Sequence, residues 1–350
     1  MAIDDTKRHR TSRKVWGTCT VHEASARSPH RAETVRAHNW VVLGDLLPGR
    51  PWAYLPHAAR LYGRKRQLPA GEDLRTQTAL AVDLLRQAAA ESAAPILALF
   101  DGADATNPVV APCLQAGPGQ RRLERMTRLR ADARLYHPAV AKPRSTGRRP
   151  VWGPRLAAPH HHLDWPPSWQ RRRAWVYGRR RAFQDTQLRC RWAVSGPHIP
   201  MHAFVIEMDG YADPWFLVTS ALELSVAQVV EAFTARFRHE DACRDHQQRW
   251  GMAACRAWTT EPVLRTCQVQ WVALTLLRLR QYRLDQAWGR GSWWLQPEWK
   301  PRKRHGSLLD LRRLFWRHRS VFSQFLVTLE EIEQIPQAPA SGEEAVSRAA

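Results

Sequence analysis

The chain has 350 residues, room for one large or two ordinary domains with a sizeable core. It carries 53 Lys and Arg against 32 Asp and Glu, a formal net charge of +21, and that self-repelling excess asks for a polyanionic partner, nucleic acid first. Its six cysteines have no CxxC or Cys/His spacing, no apolar run approaches the ~20 residues of a membrane span, and MAIDDTKRHR lacks a signal-peptide core, so zinc, disulfide-framework, membrane and secreted classes are set aside for a cytoplasmic protein with reduced thiols.

In chain order, KVWGTCTVHE, NWVVLGDLL and PWAYLPHAARLY are rich in Val, Leu, Trp and Tyr between polar turns, and predict a strand meander over the first 62 residues. TQTALAVDLLRQAAAE (76–91) has helical apolar spacing, and PILALFDG (95–102) reads as a buried strand closed by Asp-Gly. RRLERMTRLRADARLYHP leads into a Pro/Gly/Arg-rich linker from 137 to about 170, where His160, His161 and His162 read as exposed spacer. Residues 121–192 hold 19 Lys/Arg and 4 Asp/Glu, a net +15, with tryptophans at 152, 165, 169, 175 and 192 among them. That combination suits phosphate contacts with aromatic wedges, although any single tryptophan fits a core as well.

RRAWVYG, QLRCRWAVSG, HAFVIEMDG and PWFLVTS predict further strands. Ser225 with Gln228 forms a capping box and Gly251 a C-cap, so one helix is predicted over 226–250. Two more helices are predicted over 261–284 and 307–328, followed by a disordered tail. At 100° per residue, Phe233, Arg236, Glu240 and Gln247 fall within an arc of about 60°, while Phe237 joins Val226 and Val230 on a neighbouring face that would bury against a sheet. Glu240 is the carboxylate presented beside Arg236. The pair is open to two readings, an i,i+4 ion pair on a solvated face or part of a functional stripe.

The spacing Phe-x2-Arg-x3-Glu-x6-Gln resembles the Tyr-x2-Arg-x3-Glu-x6-Lys signature of the DDE transposases of bacterial insertion sequences, in the IS-four-type branch with a β-rich insert before its glutamate. Phe233 stands for the tyrosine and Gln247 for the lysine. PWFLVTS resembles the strand leading into the signature helix, LALFDGADA the second-aspartate strand, and AIDDTKRHRTSRKVWG the first-aspartate strand and turn.

The resemblance implies an α/β, ribonuclease-H-like mixed sheet with flanking helices. Residues 1–120 and 214–330 would form the catalytic domain, 121–213 the Arg-rich β insert, and 331–350 a disordered tail. It implies Asp5, Asp101 and Glu240 as catalytic and metal-ligating acids, with Asp4 and Asp104 as alternates. Two Mg²⁺ ions, or Mn²⁺ in their place, would serve in-line attack on a DNA phosphodiester. Phe233, Arg236 and Gln247 would contact the DNA end. The implied partners are double-stranded DNA, both transposon ends and target, and a second copy in a synaptic homodimer. The implied location is the bacterial cytoplasm, at the nucleoid. Only four residues precede Asp5, so the first strand is expected to be a frayed stub and the end-recognition region to be missing. An inactive remnant that only binds DNA is the alternative.

Overall fold

Ala2 and Ile3 are both buried because the strand they open, β1 (Ala2–His9), runs through the middle of a sheet covered on both faces. The protein is described by a computed structural model over residues 1–22, 34–49, 52–65, 74–102, 123–139, 150–164, 169–252, 254–288, 293–294, 303 and 306–317. β1 pairs antiparallel with β3 (Thr34–Leu47), from Ala2 opposite Gly44 to His9 opposite Ala37, and parallel with β5 (Ile96–Leu99). The expected stub is therefore a full, eight-residue central strand. Met1 N donates to Leu97 O at 2.8 Å and Met1 O accepts from Leu99 N at 2.9 Å, which ties its start to β5.

β2 (Cys19–His22) and β4 (Ala53–Tyr62) pair with β3, and β6 (Leu123–Arg128) runs parallel to β5. β11 (Trp215–Thr219) then pairs antiparallel with β6, followed by β10 (Met201–Met208) and β9 (Arg179–Trp192). β7 (Leu135–Tyr136) and β8 (Gln170–Val176) both pair with β9. The result is a large mixed sheet ordered β2-β3-β1-β5-β6-β11-β10-β9-β7, with β4 on β3 and β8 on β9. The Arg-rich segment thus continues the central sheet.

Period-two alternation in β1 divides its side chains between two cores. Ile3 joins Val41 and Leu43 against α1 (Gln77–Glu91), whose Leu84 and Leu85 are fully buried. Thr76 caps that helix by accepting from Ala79 N. Ala2 belongs to the other core, shared with α2 (Val226–Ala235), α3 (Arg238–Gln248), α4 (Thr260–Ala287) and α5 (Leu308–Arg317). Gly44 matters to this face, since a Cβ there would lie 2.2 Å from Tyr54 Cζ. The Tyr54 ring so admitted meets His239 edge-on at 5.0 Å and seats α3 over the strands.

The expected histidine spacer is a 3-10 helix, Pro159–Asp164, with His160 Nδ1 2.8 Å from Ala131 O. Trp192 is buried with the Arg125 guanidinium 5.4 Å from its ring centroid, and Trp152 packs on Tyr136. Asp104, Trp165, residues 318–328 of the last predicted helix and the tail 331–350 lie outside the described residues. Among the described residues no helix is long and apolar enough to cross a membrane.

Candidate active site

Register brings the first two acids together. Ala2 lies opposite Leu99 across the parallel pair, so Asp4 and Asp101 each follow two residues later, on the face Ala2 and Leu99 share. Asp101 comes just past the carboxyl end of β5, the edge where an α/β sheet exposes functional groups. Its loop is fixed by Phe100 N donating to Met126 O at 3.0 Å and Thr127 Oγ1 donating to Asp101 O at 3.1 Å.

The third acid arrives on a helix that differs from expectation. Ser225 and Gln228 do form a capping box, and Val229 and Val230 are fully buried, but the predicted 226–250 helix breaks after Ala235. No glycine or proline marks the break. Phe237 N donates to Thr234 O and His239 N to Arg236 O, so three-residue hydrogen bonds tighten the chain at Arg236 and Phe237. The overwinding turns buried His239 into the core and swings Phe237 outward, against Tyr177 at 5.7 Å, instead of into the sheet as the wheel predicts.

Arg236 projects from this junction and gathers the acids. Its Nη1 donates to Asp4 Oδ2 at 2.9 Å, while its Nη2 lies 3.9 Å from Asp101 Oδ1 and 3.7 Å from Glu240 Oε1. The guanidinium is only 12% exposed, whereas Asp101 and Glu240 are 49% and 44% exposed, so the acids form an open rim over a sheltered cation. Burial raises the Glu240 carboxyl above its ordinary value, Arg236 opposes that shift, and Asp101 adds to it. Three carboxylates from distant segments thus share one positive charge.

Of the two neighbouring aspartates, Asp4 is the one that touches Arg236, and its Oδ1 also accepts from Asp5 N at 2.8 Å. Asp5 sits opposite Val41, on the α1 face of the strand. Phe233 packs against Trp215 with ring centroids 6.0 Å apart, and is partly buried. Gln247 Nε2 donates to Thr6 Oγ1 at 2.8 Å and Lys7 O at 3.0 Å, so its amide nitrogen is engaged by β1.

Two residues not singled out in the sequence stand beside the acids. Arg128 ends β6 next to Gly102, and Tyr177 tips the β8–β9 hairpin over the α2–α3 junction. The signal for the second was present in Tyr177-Gly178, an X-Gly pair between two strand-like runs.

Oxygen donors of this type suit a hard divalent cation. Among the described residues, however, no group of three His, Cys, Asp or Glu is arranged to hold one as it stands, and the Arg236 guanidinium contacts all three carboxylates. No protein-family model matches the chain, and no curated protein matches it either.

Proposed function

We propose that the chain is the catalytic domain of a DNA-cutting and DNA-joining enzyme of the DDE transposase kind, acting on phosphodiesters at insertion-sequence ends. One observation carries this reading: Asp4, Asp101 and Glu240, from three separate parts of the chain, meet around Arg236 at the carboxyl end of β5. The arrangement supports a ribonuclease-H-like catalytic core, with acids on adjacent central strands and a glutamate from a following helix. Asp4 takes the role of the first acid, for which Asp5 is the closer match by sequence.

Asp4, Asp101 and Glu240 would hold Mg²⁺ once Arg236 yields its share of them, and the ion would supply activation of the attacking hydroxyl and charge stabilisation on the leaving oxygen. Arg236, freed from the acids, would turn to a DNA phosphate. The exposed Arg173, Arg179, Arg180 and Arg189 along β8 and β9 would hold the duplex backbone. A second copy of the chain and nucleoid location belong to the same proposal.

A second reading, DNA binding without cleavage, is favoured by the guanidinium-locked acids and by the engagement of Gln247 with β1. Supercoiled plasmid separates the two. Nicking that needs Mg²⁺ or Mn²⁺ and vanishes in Glu240→Gln supports catalysis, whereas retarded plasmid that stays supercoiled supports the second reading. Nicking unchanged in Glu240→Gln would remove the helix from the chemistry.

A further inference from the structure

Tyr177 occupies a backbone conformation that a bulky residue rarely adopts. Its φ is +49°, and among the described residues no other non-glycine has a positive φ. Val176 pairs with Arg179, so Tyr177 and Gly178 (φ +78°) are the two central residues of a tight hairpin turn. Turns with two positive φ values favour Asn, Asp or Gly at the first position, and an aromatic there carries strain. Strain of this kind collects at functional sites.

What the turn achieves is placement. Tyr177 is 48% exposed, and its ring meets Phe237 edge-on beside Arg236. The charged groups acting on its phenol are Arg236, Glu240 and Arg128, all at the acid site. Burial pushes the phenol above its ordinary value, and Tyr211 adds to the shift, so the hydroxyl keeps its proton at neutral pH and can donate. Tyr177 and Phe237 also line a cleft of about 540 Å³, with Trp52, Trp175, Thr234, Arg238 and Asp241.

Resting on the transposase reading, we infer that Tyr177 binds the DNA end: its phenol donates to a backbone phosphate at the acid site, supplying from the hairpin the hydroxyl that Phe233 lacks on the helix. Phe233 packs against Trp215 and is partly buried, whereas Tyr177 is exposed and feels the charges of Arg236 and Glu240. Arg128 completes the contact with a positive charge on the Asp101 side.

Fluorescence anisotropy with a short duplex carrying open 3′-hydroxyl ends, against the same duplex closed by a loop at each end, tests the role. Wild type should prefer the open duplex, and Tyr177→Phe should lose roughly tenfold of that preference. Tyr177→Asn should lose it too, while its Tm stays level or rises, because Asn accepts the turn. Equal wild-type affinity for both duplexes would overturn the transposase reading and this role with it. An end preference that survives Tyr177→Phe would overturn the phenol alone, and a lowered Tm with intact preference in Tyr177→Asn would reduce Tyr177 to a packing residue.

Discussion

Arg236 Nη1 reaches Asp4 Oδ2 at 2.9 Å, and this contact joins the α2–α3 junction to the central strand. Both partners are largely sheltered, so the hydrogen bond is charge-assisted in a setting with little water.

Replacing Arg236 by Gln removes the cation shared by three carboxylates. Stability should fall by about 1.5–3 kcal/mol, the usual range for a hydrogen bond to a charged group. Urea unfolding with and without MgCl₂ checks this. The variant should regain more stability from MgCl₂ than wild type does, because the carboxylates are no longer held by the guanidinium. Equal gains would mean that the cation and Arg236 do not compete.

Asp4 and Asp5 should behave differently although they are neighbours. Asp4→Asn should abolish metal-dependent nicking, since Asp4 shares a face with Asp101 and Arg236. Asp5→Asn, on the α1 face, should keep most of it. Plasmid nicking by the two purified variants decides the matter, and the reverse pattern would reassign the first acid.

His246 is fully buried and packed at a tilt on Trp271, ring centroids 3.8 Å apart, and among the described residues neither ring nitrogen has a hydrogen-bond partner. Burial, helped by Arg8, lowers its pKa to about 3, and burial lowers His38 to about 4. Both folded values lie below the unfolded value of about 6.5. The unfolded chain therefore binds more protons between pH 6.5 and 4, and stability is full above 6.5 and drops as pH falls, by up to about 1.4 kcal/mol per pH unit for each histidine. His246→Phe should be near neutral at pH 7.5 and stabilising at pH 5. Thermal melts at the two pH values give the comparison, and identical slopes for the two proteins would contradict it.

DNA affinity should fall steeply with salt. Each phosphate neutralised contributes roughly −0.9 to the slope of log K against log salt, and charge reversal of Arg173, Arg179 and Arg180 together should flatten that slope by about 2–3. A slope near zero in wild type would remove these arginines from DNA binding.

Much of the arrangement was legible in the sequence for local reasons. The helix at α1 follows from leucines and alanines at helical spacing, and the exposed end of β5 follows from an apolar run stopping at Asp101. Both signals are complete within about fifteen residues. The break at Arg236 carries no such mark; it is accompanied by a contact distant in sequence, His239 against Tyr54, and Gly44 opens the space for that ring. Which of Asp4 and Asp5 meets Arg236 was likewise hidden. Adjacent strand residues face opposite sides, and only the pairing of β1 with β3 and β5 says which side holds the acids.

The same contact between Arg236 and Asp4 spans 232 residues of chain. At a synthesis rate of about 5–20 residues per second, roughly ten to fifty seconds separate the making of the two partners. During that interval β1 can pair with β3 and β5 while its aspartate waits without its cation. A nascent chain thus holds two of the three acids long before it holds the site, and ribosome-bound chains stopped before Arg236 should carry no nuclease activity.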